Sequence, residues 1–190
     1  MYKLCTKEKA VLQQNAFAQC LFEMMQDTPY DKISVRGLCE YTGLSRKIFY
    51  HLFDCKEDLL YALIDQVLRD YVFVPFQKEQ GDLEEQQEEL QKLFSYWRDQ
   101  KVLLKVLEKN DKLSLLLIRS VEYVLHEDRD MLSSLGADHS PNSREIVVFA
   151  MSGTIGLILD WYASGYQKSV SEMAELFEKI IFSPIIHTTL

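Results

Sequence analysis

Apolar side chains recur at helical intervals along most of this chain, and polar caps and breakers punctuate them. Phe17, Cys20, Leu21, Met24 and Met25 fall at i, i+3, i+4, i+7 and i+8, which predicts a helix opened by Thr6 as N-cap and stopped at Thr28-Pro29. After a short polar connection, Ser34 caps a second helix that turns Val35, Leu38 and Cys39 inward. It runs out at Thr42-Gly43, where Gly supplies the left-handed residue of a tight turn. Ser45 caps a third, R-K-I-F-Y-H-L-F, with Ile48, Phe49, Leu52 and Phe53 available for packing and Arg46, Lys47, Tyr50 and His51 on its other faces. Two short helices joined by a Gly turn form a helix-turn-helix pattern, although any helix pair with such a turn imitates it.

Asp54-Cys55-Lys56 opens a fourth helix, with Glu57 and Asp58 in its first turn, where acids suit the helix dipole. Its stripe is Leu59, Leu60, Leu63, Ile64, Val67 and Leu68, and it is expected to end near Val74-Pro75. The acidic segment Gly81 to Glu89 leads into Leu90, Leu93, Phe94 and Trp97, one amphipathic helix with a solvated face. A shorter helix over Val102 to Leu107 follows, then another from near Asp111. Beyond the break at His139-Ser-Pro-Asn-Ser, Asn142 and Glu145 form a capping box for a long helix toward Gly165 that is apolar on nearly every face. Ser169 and Glu172 cap the last helix, whose stripe is Met173, Leu176, Phe177, Ile180 and Ile181. Two adjacent apolar helices point to a subunit interface at Ala150, Gly153, Gly156, Leu157, Met173, Leu176, Phe177 and Ile180.

Composition fits this all-α reading, since seven Gly and four Pro in 190 residues leave few turn-makers for an all-β chain. The net charge of −8 is unevenly spread. Through His51 there are seven Lys and Arg against five Asp and Glu, a net of +2, and the remainder carries −10. That distribution keeps a nucleic-acid-binding amino-terminal region possible in an otherwise acidic chain. Cys5, Cys20, Cys39 and Cys55 are separated by 15, 19 and 16 residues, so no C-x-x-C pair forms a zinc or redox motif and the thiols are expected reduced, in the cytoplasm. The longest uncharged stretch, Ile146 to Leu159, is shorter than the ~18 residues of a membrane span.

Chemistry for an enzyme is missing from the motifs. His51, His126, His139 and His187 are preceded at three residues by Ile48, Tyr123, Gly136 and Pro184, so no E-x-x-H metal pair occurs, and there is no P-loop, G-x-G-x-x-G or G-x-S-x-G. No catalytic residue, metal ligand or cofactor is expected. A recognition helix needs donors at its amino-terminal end for base edges and flanking donors for phosphates. Arg46 and Lys47 meet the first need; Ser34, Arg36, Ser45, Tyr50, His51 and Lys56 are candidates for the second. The plain alternative for Arg46 and Lys47 is a solvated helix face, and for Phe49 it is core packing.

Five landmarks occur in order, the aromatic Tyr30, the Ser34-Val35 start, the Gly43-Leu44-Ser45 turn, the Tyr50-His51-Leu52-Phe53 ending and the Lys56-Glu57-Asp58-Leu59 opening; with them Y30-D-K-I-S-V-R, T-G-L-S-R-K-I-F-Y-H-L-F and D-C-K-E-D-L-L make the first 65 or so residues resemble the amino-terminal domain of tetracycline-repressor (TetR) family transcription regulators. G-T-I-G-L-I-L-D-W-Y-A-S-G-Y and S-V-S-E-M-A-E-L are similar to the last two helices of a subgroup that includes dihydroxyacetone-kinase regulators. The chain departs from the family pattern in places. Leu52 stands where a His is usual and has no donor for a phosphate, His51 lies one place earlier, and Cys39 and Thr42 replace Ala. Gly37 replaces a commonly polar residue, at roughly 1 kcal/mol of helix propensity.

The resemblance implies a homodimeric repressor with a helix-turn-helix DNA-binding domain over residues 1–53 and an effector-binding and dimerisation domain over 54–190. Its partners are then a roughly palindromic duplex operator and a small-molecule effector, and Phe94, Trp97, Tyr123, Phe149 and Trp161 are candidates to line the effector site, with plain core as the alternative for each. The rival reading is a helical ligand-sensing co-regulator that does not bind DNA itself.

Overall fold

The computed structural model of the protein describes residues 8–71, 83–126 and 143–182. The described residues are helical, with no strand among them: α1 Glu8–Asp27, a 3-10 turn Tyr30–Lys32, α2 Val35–Thr42, α3 Arg46–Leu52, α4 Lys56–Tyr71, α5 Leu83–Asp99, α6 Lys101–Lys109, α7 Leu115–His126, α8 Ser143–Ala163 and α9 Val170–Phe182. The expected caps Thr6 and Asn142 and the expected end at Val74-Pro75 lie outside the described residues. Two compact units emerge from the packing, one of residues 1–68 with 103–119 and the other of 69–102 with 120–190.

In the first unit α1 packs on α2 and α2 on α3. Ser34 accepts from the Gly37 N–H at 3.1 Å and Ser45 from the Ile48 N–H at 3.3 Å, so each short helix begins with its first free donors satisfied. Gly43 ends α2 at φ 69°, a conformation that a Cβ would strain. Phe17 of α1 meets Phe49 of α3 edge to face at 5.3 Å and Phe53 at 6.1 Å, contacts that add ~0.5–1.5 kcal/mol each beyond burial. Leu52 is wholly buried beside them. The position where the resemblance leads one to expect a phosphate-binding His therefore serves the core here.

Asp65 of α4 and Arg119 of α7 form a buried, two-pronged ion pair, with Nε donating to Oδ1 at 2.9 Å and an Nη donating to Oδ2. The Arg119 guanidinium also stands 4.9 Å from the Tyr61 ring. Helix α7 begins at Leu115 rather than near Asp111. Asp111 is in the left-handed region at φ 57° and Lys112 donates its N–H back to the Leu107 carbonyl at 2.8 Å, so residues 110–114 form a corner before the helix restarts.

In the second unit α5 packs against α9 and α8. Phe94 meets Trp161 edge to face at 5.7 Å and Phe177 at 5.9 Å. The α8–α9 corner is closed by the Trp161 indole N–H, which donates to the Lys168 carbonyl at 2.9 Å, and by Tyr166, which meets Trp161 edge to face at 4.9 Å. The capping box of α9 is reciprocal: the Ser169 N–H donates to Glu172 at 2.7 Å, and the Glu172 N–H donates to the Ser169 hydroxyl at 3.2 Å. Hydrogen bonding of the carboxylate to the Ser169 backbone N–H, and then to the Ser169 side chain, holds the Glu172 carboxyl below its ordinary range.

Removing one partner of the buried ion pair strands the other charge in a dry site. Arg119→Ala is expected to lower the unfolding free energy by ~3–5 kcal/mol in a urea titration, whereas Asp65→Leu with Arg119→Met restores wild-type stability or exceeds it. Equal losses in the single and double variants would contradict this.

Candidate nucleic-acid interface

Helix α3 divides its side chains by face. Phe49 and Leu52 enter the core, while Arg46, Lys47, Tyr50 and His51 are exposed. Arg46 and Lys47 occupy the first helical turn after the Ser45 cap, so their charges project from the end where a groove-reading helix meets base edges. Tyr50 is 46 % exposed, its ring lies against Phe49 at 5.4 Å, and the Arg46 guanidinium sits 5.9 Å from its centroid. The aromatic ring thus stands between the core and the cation, limiting the conformations Arg46 explores. Ser34 and Ser45 are both exposed at helix starts, and each hydroxyl keeps its own O–H free to donate while its oxygen caps the helix.

Thr42, in the place of the usual Ala, binds the turn together: its hydroxyl donates to the Leu38 carbonyl at 2.8 Å and accepts from the Leu44 N–H at 3.3 Å. Cys39 is buried, and burial pushes its thiol up. Burial likewise pushes the Cys20 thiol up to about 11, so it stays protonated at neutral pH.

Two cations expected to reach phosphates are engaged elsewhere. Arg36 donates to Glu40 at 2.7 Å on the exposed face of α2, a pair that water screens and a stronger anion can displace. Lys56 turns inward: Nζ donates to the carbonyls of Tyr30 at 2.7 Å and Ile33 at 2.9 Å and lies 4.0 Å from the Tyr30 ring. Two of its three N–H bonds are committed to these carbonyls. The start of α4 also holds the buried side chain of Asp58, which accepts the Asp54 N–H at 3.0 Å and so takes up one backbone donor just ahead of the helix.

The residues considered for an effector site separate. Phe94, Trp97 and Trp161 are buried in the second unit, whereas Phe149 is 68 % exposed and does not join them. The side chain of Tyr123 lies outside the described residues. Trp97 keeps an indole N–H with no partner, and the Tyr166 hydroxyl is likewise buried and unpaired. Of the residues considered for a subunit interface, Met173 and Phe177 are buried within the chain, and Phe177 packs on Phe94. Gly153 and Gly156 are exposed, and Ala150, Leu157, Leu176 and Ile180 are half-buried. An open groove of about 570 Å³ lies along Arg144, Glu145, Val148, Phe149 and Ser152.

Asn110 was missed by sequence reasoning. Its side chain caps the end of α1 and the 3-10 turn that leads into α2. The only signal was negative: M-M-Q-D-T-P carries neither a Gly nor a basic residue to close α1, which calls for a cap from elsewhere without naming it.

Among the described residues no helix is long and apolar enough to cross a membrane. Residues 84–183, more than half of the chain, match a TetR-type family described as a transcriptional regulator C-terminal region. Among solved structures, one described as a TetR-family transcriptional regulator from Syntrophomonas wolfei str. Goettingen matches with a TM-score of 0.58 at 15 % identity, over 95 % of this chain and 97 % of that one. At that identity the likeness is one of fold, and it spans the amino-terminal helices that the family match leaves out. No curated protein matches the chain. The chain belongs to the TetR family of transcriptional regulators.

Proposed function

We propose that this regulator is a DNA-binding repressor of the cytoplasm that acts as a homodimer on a roughly palindromic duplex and is released by a small-molecule effector. The DNA-reading part falls within residues 1–53, and effector binding and dimerisation fall to residues 54–190. The observation that carries the reading is the exposed first turn of α3, where Arg46 and Lys47 stand on a helix whose opposite face is locked into the core by Phe49 and Leu52. Arg46 and Lys47 read base edges; Ser34, Ser45 and Tyr50 donate to phosphates, with His51 and, once released from Glu40, Arg36 beside them. Lys56 acts through the Tyr30 turn rather than by touching DNA. The likeness of α8 and α9 to the subgroup that includes dihydroxyacetone-kinase regulators favours placement there.

Dimerisation is supported by Gly153 and Gly156. Among the described residues a Cβ at either would meet nothing within 4 Å, so Gly there gives up roughly 1 kcal/mol of helix propensity without relieving a contact among them. A close-crossing helix of a second copy supplies the reason, with Phe149, Ala150, Leu157, Leu176 and Ile180 around it. Effector binding is supported by the unpaired indole N–H of Trp97, a buried donor within an aromatic cluster that suits an apolar molecule carrying one acceptor.

A second reading, a TetR-like co-regulator that does not bind DNA, is favoured by the scarcity of free cations near α3, since Arg36 and Lys56 are engaged. Salt dependence separates the two readings. With Arg46 and Lys47 alone from each subunit on phosphates or base edges, log K against log salt is expected to fall with a slope of about −4 on a duplex selected from a random pool. Absence of any salt-dependent binding would favour the co-regulator.

Arg46→Ala and Lys47→Ala are each expected to weaken binding to that duplex by ~1–3 kcal/mol and relax preference at one base pair per half-site, with no change in the thermal midpoint. Wild-type affinity in the double variant would sink the assignment. Sedimentation tests the assembly: the wild type is expected dimeric at micromolar concentration and Gly153→Arg monomeric yet folded, and a monomeric wild type would contradict the dimer.

A further inference from the structure

The turn that delivers α2 is held by a corner about 80 residues downstream. Asn110 uses both ends of its amide: Oδ1 accepts the Tyr30 N–H at 2.6 Å, and Nδ2 donates to the carbonyls of Met25 at 3.2 Å and Val106 at 2.8 Å. Next to it Lys109 donates to the Gln26 carbonyl at 2.7 Å, and the Lys112 ammonium lies 5.0 Å from the Tyr30 ring. Asp111, between Asn110 and Lys112, is in the left-handed region and reverses the chain, so that Lys109, Asn110 and Lys112 of one corner all face the end of α1 and the turn after it.

The target requires them. Helix α1 has no basic residue in its last turn, and its final carbonyls would otherwise lack partners. Pro29, at the cap position of the 3-10 turn, offers no side-chain acceptor for the Tyr30 N–H. From the other side Lys56 takes the Tyr30 and Ile33 carbonyls, so the turn is clamped at its donor by Asn110 and at its acceptors by α4. All of these groups lie within the compact unit of residues 1–68 and 103–119. Ser34, the cap of α2, follows directly on Ile33, so the clamp fixes where the helix-turn-helix begins.

We infer that Asn110 is a positioning residue for DNA reading, setting the angle at which α2 and α3 leave α1. This rests on the DNA-binding reading above. It gives the head a second attachment, through the α6–α7 corner, beside its covalent continuation into α4. A displacement of that corner, by whatever binds the protein, reaches the turn before the reading helices through Asn110, which alone of the corner's three groups bonds the Tyr30 N–H.

Asn110→Ala and Asn110→Asp test this in the full-length dimer with two readouts. The first is amide exchange of Tyr30 in the free protein, expected to rise about tenfold in Asn110→Ala, as for the loss of one buried hydrogen bond, and to stay near wild type in Asn110→Asp, which keeps an acceptor. The second is discrimination between a duplex selected from a random pool and the same duplex with one base pair inserted between its half-sites. A loosened head is expected to lose about tenfold of that discrimination in Asn110→Ala and less in Asn110→Asp, while affinity for random duplex stays unchanged. Mere loss of global stability would leave the discrimination of the folded fraction intact. If Asn110→Ala does not fold, Asn110→Asp carries the test, because it lacks the donor to Met25 and Val106. Unchanged Tyr30 exchange in Asn110→Ala overturns the clamp. Changed exchange with wild-type discrimination in the folded variants overturns the positioning role alone. Failure of the wild type to select any duplex overturns the DNA-reading proposal, and the positioning role with it, even where the exchange arm bears out the clamp.

Discussion

A helix that ends without its own cap governs the amino-terminal unit. The last turn of α1 leaves carbonyls bare, and Pro29 prevents the chain from correcting this locally. Lys109 and Asn110 complete the helix, Asn110 and Lys56 complete the turn after it, and only then do α2 and α3 have a defined point of departure. Burial of Phe17 against Phe49 and Phe53 secures the same three helices from inside. Packing alone tolerates small rotations, whereas hydrogen bonds of 2.6 to 3.2 Å on both sides of the connection between α1 and α2 do not. A protein that has to present two cations at a fixed angle benefits from that stiffness.

The second unit is organised by an excess of apolar surface. Helix α8 is apolar nearly all round, and the chain covers part of it with the Phe94, Trp161 and Phe177 cluster. Phe149, Gly153 and Gly156 are left on the outside. Glycines that face open space within a 21-residue helix weaken the isolated chain, and the proposed contact with a second copy gives them a use. The family match over residues 84–183 rests on this region, whereas the structural features most relevant to DNA lie before it.

Much of this was legible beforehand. Ser34, Ser45, Gly43 and the Ser169–Glu172 pair mark helix ends because capping is local chemistry, readable within four residues. Periodicity distinguished Phe49 and Leu52 from Arg46 and Lys47 for the same reason. What was not legible depends on partners far away in the chain. Lys56 reads as a cation at a helix start, and nothing nearby says that the Tyr30 carbonyl is its acceptor. Met173 and Phe177 share a stripe with Leu176 and Ile180, yet the first two are buried, Phe177 against Phe94 of α5, and the others are half-buried. Asn110 is one polar residue after a helix until α1 is brought beside it.

In the proposed complex, α3 enters the major groove as one of two symmetric copies. Hydroxyl-radical footprinting of the wild type on a duplex it selects measures this most directly. Two protected blocks on one face of the duplex, with centres one helical turn or about 34–36 Å apart, or a whole multiple of it, are the expected result. A single block, or uniform protection that does not depend on sequence, would contradict it.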